Sequence, residues 1–226
     1  MKYIIIMCGI LGVFCWIFAY MLITYRGIKD KTYGMPLVPL ALNFGWEFVY
    51  TFCFPFSIYS QVTNALWFFT DLGIVYTYFK YGYATFSKFH DLDKKQWYAM
   101  SIFTFLIGFL LNFYGYKFFC QYLNQFTDTE SSAFIAWFIL MATPICMLSM
   151  FFQRGNSEGQ SFIIVGSMIL GNFFFIIQFI THPSYYKWNN PFLILIIAIS
   201  VVVELYYAKL LYKQLRKEGT NPWKII

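Results

Sequence analysis

The chain has 226 residues, of which 60% are apolar and 12% charged, and it carries a formal charge of +6 at pH 7. A soluble domain carries about twice that share of charged residues, and apolar runs of about 20 residues, the length a bilayer-crossing helix needs, recur along the whole chain. The sequence therefore reads as an all-α, polytopic membrane protein: one seven-helix bundle over residues 1–226, with no soluble domain. The basic balance does not point to nucleic acid, because its Lys and Arg residues follow a topological pattern.

In chain order the apolar spans cover residues 4–24, 36–54, 62–81, 97–116, 133–152, 162–181 and 192–212. The first follows only Lys2 and precedes no small-residue cleavage site, so it is expected to be a retained helix. Arg26, Lys29 and Lys31 follow the first span, and Lys80, Lys88, Lys94 and Lys95 follow the third. Arg154 follows the fifth, and Lys209, Lys213, Arg216, Lys217 and Lys224 close the chain. These are thirteen of the sixteen Lys and Arg residues, all on one side of the alternating spans. The other side holds Lys2, Lys117 and Lys187. The positive-inside rule then places the N-terminus outside and the C-terminus in the cytosol; the basic tail reads chiefly as a topology signal, with contact to anionic lipid headgroups a secondary reading.

Pro36 and Pro39 fall in the first turn of the second span, where a missing N–H is harmless, and Pro55 ends it. Pro144 lies inside the fifth span and is expected to kink it. Pro183 and Pro191 bracket the last loop. A three-plus-one-plus-three repeat would align the second span with the sixth and could match Asn43 with Asn172. The five cysteines form no C-x-x-C pair and imply neither a disulfide framework nor a metal knot. His90 and His182 fall on opposite sides of the membrane and cannot share a metal. The run His90 to Lys95 reads as a solvated connector. No aspartate-rich motif is present to hold magnesium and a diphosphate, so no metal or other cofactor is expected. Lys209 lies too near the inner surface for a retinal Schiff base.

Three of the ten acidic residues sit inside spans: Glu47, Asp71 and Glu204. At the helical rise they lie about 12, 15 and 20 Å from the outer helix ends, all in the middle of a core about 30 Å thick. No Lys or Arg shares that depth. The short connection at 55–61 makes the second and third spans an antiparallel hairpin, so Glu47 and Asp71 can be neighbours. Asn43 and Glu47 stack one turn apart and Tyr50 continues the stripe. Three carboxylates without a cation at their depth are not all ionised, and a neutral buried carboxylic acid is a proton donor. That serves an enzyme using general acid catalysis or a proton-coupled transporter, and a polar lock between helices is the structural alternative. Trp46, Tyr50, Trp67, Tyr78 and Tyr207 lie on the acid-bearing spans, where aromatic faces can stabilise a cation; with Asn43 they are the candidate substrate-binding residues.

Residues 32–47, TYGMPLVPLALNFGWE, and residues 67–76, WFFTDLGIVY, resemble the two signature blocks of the integral-membrane terpene cyclases of the pyripyropene and paxilline types. Chain length and helix count fit that family. The resemblance implies metal-independent, proton-initiated cyclisation of a polyprenyl substrate, in meroterpenoid-like chemistry. It places Glu47 at the family's G-W-E acid and Asp71 at its W-x-x-x-D-L-G acid. The acid of the last helix is Glu204 here, where the family often has Asp. A bacterial relative in the cytoplasmic membrane is the favoured setting from the Phe-, Ile-, Tyr- and Lys-rich composition, with the endoplasmic reticulum expected if the source is fungal. A proton-coupled small-molecule transporter stays the alternative, and a seven-helix sensor or scaffold the third reading.

Overall fold

The computed structural model describes residues 2–122, 127–181 and 191–224. His182, Pro183 and Lys187 lie outside the described residues. Among those described there are seven helices and no strand: α1 (Lys2–Asp30), α2 (Leu37–Phe48), α3 (Ile58–Phe86), α4 (Lys94–Tyr116), α5 (Asp128–Arg154), α6 (Phe162–Thr181) and α7 (Pro191–Lys217). A π-helical turn, Val49–Cys53, extends α2, and another, Lys117–Tyr122, extends α4.

Several helices overrun the apolar spans because polar residues cap them beyond the greasy stretch. Ser57 accepts from the Ser60 N–H and starts α3 before residue 62. Asp93 and Gln96 form a capping box at α4, and Thr127 and Glu130 form one at α5. Each supplies partners to N–H groups that the first helical turn leaves unpaired. Asp93 is thus a cap within the polar connector. Helix α5 continues through Pro144 and stops at Gly155, whose φ of +66° is the left-handed conformation that ends helices.

Five of these helices are long and apolar enough to cross a membrane: α1, α4 with its π-turn, α5, α6 and α7. The other two carry acids. Helix α2 with its π-turn is shorter, and α3 is loaded with polar residues including Gln61, Asn64, Asp71 and Lys80.

Six helices close a ring in the order α1, α3, α2, α5, α7, α6 and back to α1. Helix α4 packs outside it, against α2 and α5. Exchanging α1, α2 and α3 for α5, α6 and α7 leaves the ring order unchanged, so α4 links two halves of like topology. The pairing of Asn43 with Asn172 corresponds to this exchange at the level of helices, α2 for α6.

Close approach between α2 and α4 rests on two glycines. A Cβ on Gly108 would sit 2.3 Å from the Ala41 carbonyl oxygen, and one on Gly45 would sit 2.7 Å from the Gly108 carbonyl oxygen. Small residues let helix backbones meet where water supplies no hydrophobic drive. Asn112 fastens the contact by donating to the Leu42 carbonyl at 2.9 Å and to that of Gly108 at 2.7 Å.

One end of the ring is latched by buried polar groups. Arg154 donates to the carbonyls of Glu158 at 2.9 Å and Tyr33 at 3.0 Å, and its guanidinium lies 4.3 Å from the Tyr33 ring centroid. Asp30 pairs with Arg26 at 2.8 Å and accepts from the Gly159 N–H at 2.8 Å. Gln160 donates to the Gly34 carbonyl and accepts from the Tyr207 hydroxyl. The loops after α1 and α5 are therefore held to each other, and the Tyr33-Gly34 step of the first signature block is held through its carbonyls.

Candidate active site

Consecutive residues on a helix point about 100° apart, so Gly45, Trp46 and Glu47 face three different neighbours. Gly45 meets α4. The Trp46 indole donates to the Ser132 carbonyl on α5 at 3.0 Å. Glu47 faces the inside of the ring, 1% exposed. Asn43, one turn earlier, donates to Glu47 Oε1 at 2.9 Å and to the hydroxyl of Tyr20 on α1. Glu47 Oε2 has no hydrogen-bond partner among the described residues.

Asp71 lies within electrostatic reach of Glu47 and Tyr20 and is fully buried. Asn43 faces it too, but neither carboxylate oxygen of Asp71 makes a hydrogen bond among the described residues. Two residues on, Gly73 admits α1: a Cβ there would stand 2.7 Å from Thr24 Oγ1. The D-L-G block thus buries an acid and brings α3 against α1 within one turn.

Glu204 forms a second cluster. Its Oε2 accepts from Asn172 Nδ2 at 3.0 Å, and Asn172 Oδ1 accepts from the Trp16 indole at 3.1 Å. Glu204 Oε1 has no hydrogen-bond partner among the described residues. The two clusters have the same design: a carboxylate, an asparagine holding one of its oxygens, and an aromatic residue of α1. Trp16 and Tyr20 sit one turn apart, with ring centroids 5.8 Å from each other. Helix α1 is therefore the post between the acid sites.

Of the three acids, Glu47 is the one that lines a described cavity. A space of about 60 Å³ is walled by Glu47, Asn43, Tyr20, Trp16, Trp46, Trp67 and Phe175 together with Ala136, Ile139 and Leu140 of α5. Trp67 and Phe175 also border a neighbouring cavity of about 180 Å³ and a larger one of about 560 Å³. The Trp67 and Phe175 rings meet edge to face at 6.2 Å, and Trp46 lies 6.0 Å from Trp67. The Trp67 indole N–H has no partner among the described residues.

Asn43, Trp46 and Trp67 thus gather around Glu47, whereas three other candidate residues are placed in packed regions away from the lining. The Tyr50 hydroxyl is 3.3 Å from Ser131 Oγ. Tyr78 stacks on Trp97 at 5.1 Å and pairs with Ser101 at 3.0 Å. Tyr207 bonds Gln160 in the latch. Sequence reading missed Trp16, Tyr20 and Phe175, and it noticed Asn172 only through the repeat. A signal was present: Asn172 is an amide in an otherwise apolar stretch of α6, facing an acid-bearing helix. All five cysteines are free, and no group of three or more His, Cys, Asp or Glu residues is set to hold a metal among the described residues.

Comparison with known proteins bears on this architecture. The family profile of Pyr4-like transmembrane terpene cyclases matches residues 1–217. The Pyr4-family terpene cyclase mfmH of Annulohypoxylon moriforme is 30% identical over 177 residues, covering 78% of this chain and 69% of the relative. Terpene cyclase pyr4 of Aspergillus fumigatus is 26% identical over 221 residues, covering 92% and 86%. Terpene cyclase atmB of Aspergillus flavus is 26% identical over 191 residues, covering 80% and 73%. These relatives are fungal and lend the bacterial setting no support. With the profile spanning nearly the whole chain and the apolar helices in place, the protein is an integral membrane enzyme that belongs to the Pyr4-like transmembrane terpene cyclases.

Proposed function

We infer that the chain is a type II cyclase acting on a prenylated, meroterpenoid-like substrate, with Glu47 as the proton donor. The observation that carries this reading is the place of Glu47: it lines a cavity bounded by Trp16, Trp46, Trp67 and Phe175, with one oxygen held by Asn43 and the other without a hydrogen-bond partner among the described residues. A proton on Oε2 passes to the epoxide oxygen or terminal alkene carbon of the folded chain. The C–O bond or π bond breaks, and the next alkene attacks the carbon left electron-poor. Indole and phenyl faces stabilise the successive cations without offering a nucleophile. The last cation loses a proton to a carboxylate or water, so the reaction is an isomerisation with no net redox change.

In this reading Asp71 shares the initiating proton with Glu47 as a coupled pair, and Glu204 orients the substrate or assists protonation from across the ring. The helices would cross the membrane seven times, with the N-terminus outside and the C-terminus in the cytosol, as the distribution of basic residues supports. The ring of two like halves around buried acids also suits a proton-coupled transporter. Purified protein in detergent, with no gradient, separates the two. Cyclisation of an epoxidised prenyl-phenol supports the enzyme reading, with Glu47→Gln lowering turnover by about 10²–10⁴-fold, the range of general acid catalysis. Turnover of Glu47→Gln at the wild-type rate would make Glu47 a packing residue.

A further inference from the structure

The cavity of about 560 Å³ lies between the N-terminal halves of α1 and α3, away from the acids. Its volume falls in the range of about 300–1,000 Å³ typical of small-molecule sites. Helices α1 and α3 touch lower down, where Gly73 meets Thr24 and Gly27 meets Thr77. Above that contact they part, with Ile5, Ile6 and Val13 on one side and Tyr59, Ser60 and Thr63 on the other. The rim is open to the surroundings of the helices: Ile6 is 44% and Tyr59 54% exposed.

The lining is mostly apolar, with polar groups set into it. Ser57, Ser60, Thr63, Thr129 and Gln178 contribute, and among the described residues no Asp, Glu, Lys or Arg does. The Ser57 and Ser60 hydroxyls accept from the Ser60 N–H and from Asn64, so each keeps its own proton to donate. Such a lining can satisfy hydroxyl or carbonyl groups. It leaves a diphosphate unpaired, and burying an unpaired charge is costly. At the bottom, Trp67 and Phe175 are shared with the cavity that holds Glu47. Ser60 stands about 16 Å along α3 from Asp71 at the helical rise.

We propose that this cavity is the head-group site, which takes an uncharged hydrogen-bonding head such as a phenol through the lateral gap between α1 and α3. The apolar tail then passes the Trp67–Phe175 contact, and its far end meets Glu47. The assignment rests on the reading of the protein as a cyclase of prenylated substrates and adds which end of the substrate goes where. It also separates the polar binding groups from the acids, so that the head can be anchored while the tail folds.

Two photoreactive farnesylhydroquinones test it on the purified full chain in detergent, one with a diazirine on the ring and one with a diazirine at the end of the tail. The ring probe should label residues 57–63 or Gln178, and the tail probe should label Trp46, Ile139 or Leu140. Unlabelled farnesylhydroquinone should compete, and farnesyl diphosphate should not. Thr63→Trp, which fills the cavity, should lower ring-probe labelling at least tenfold while tail-end residues still react with a short prenyl alcohol probe. Reversed labels, no competable labelling, or equal competition by the diphosphate would each overturn the assignment. Cyclisation is measured in parallel. Correct labelling without turnover supports the head-group site and counts against the cyclase reading. Turnover with reversed labels does the opposite.

Discussion

Asn172→Leu isolates one link of the acid framework without changing side-chain size much. Asn172 is 2% exposed and uses both ends of its amide, one to Glu204 at 3.0 Å and one to the Trp16 indole at 3.1 Å. Leucine removes both bonds and leaves the indole N–H and Glu204 Oε2 without partners. Orphaning a buried polar group costs about 1–3 kcal/mol, but hydrogen bonds between membrane helices average about 0.6 kcal/mol and reach about 1.7, because the unfolded chain in lipid also finds partners. Two such losses with little cavity term give about 1–3 kcal/mol. At about 2–4 °C per kcal/mol for a chain of about this size, the melting temperature in detergent should fall by about 2–12 °C. Trp16→Phe breaks one of the same bonds, so the double variant should be less destabilised than the sum of the singles by about 0.6–1.7 kcal/mol. Turnover should fall as well, since Glu204 loses the amide that fixes it. A melting temperature equal to wild type, or additivity with Trp16→Phe, would refute the idea that α1 holds Glu204 through Asn172.

Cyclisation should survive an excess of EDTA, since the chain offers no diphosphate-binding aspartate motif; loss of turnover in chelator restored by magnesium would replace proton initiation with diphosphate ionisation. A reporter fused after Lys224 that is active only on the cytosolic side should be active, and activity of an exterior-only reporter would reverse the assigned orientation.

The sequence made the helices and the acids legible because both rest on local patterns. A run of 20 apolar residues announces itself, and so does a carboxylate inside it. What it did not show is which side chains converge across the ring. Trp16 and Tyr20 look like ordinary aromatics of a hydrophobic helix, and only the packing of α1 beside α3 and α6 makes them partners of Asn172 and Asn43. Tyr78 and Tyr207 share helices with acids, and that neighbourhood suggested a cavity role. In the structure Tyr78 stacks on Trp97 and Tyr207 bonds Gln160 at the latched end of the ring. Sharing a helix with an acid fixes neither depth nor face. The glycines of the two signature blocks carry a meaning invisible in one dimension, since Gly45 and Gly73 are small because α4 and α1 press on them. The helix starts moved because caps, not hydropathy, set them.

How the three acids divide their work follows from the two clusters and can be tested by mutation. Glu47 and Asp71 lie within electrostatic reach of each other, beside Asn43 and Tyr20. Glu204 is tied to Asn172 and Trp16 on the other flank of α1. If the initiating proton belongs to Glu47 and Asp71 as a unit, removing either carboxyl disables the same step. Glu47→Gln and Asp71→Asn should then be strongly non-additive in single-turnover rate, the double variant being scarcely slower than the worse single one. Glu204→Gln should lower the rate and leave the shape of the pH profile unchanged, because the groups that titrate in that profile remain. The cycle needs rates and pH profiles for all single and paired variants, with melting temperatures as a check on folding. Additive effects of Glu47 and Asp71, together with coupling between Glu47 and Glu204, would reject the pair. The proton would then be managed between α2 and α7, from opposite flanks of α1, and Asp71 would be a buried polar anchor for Asn43.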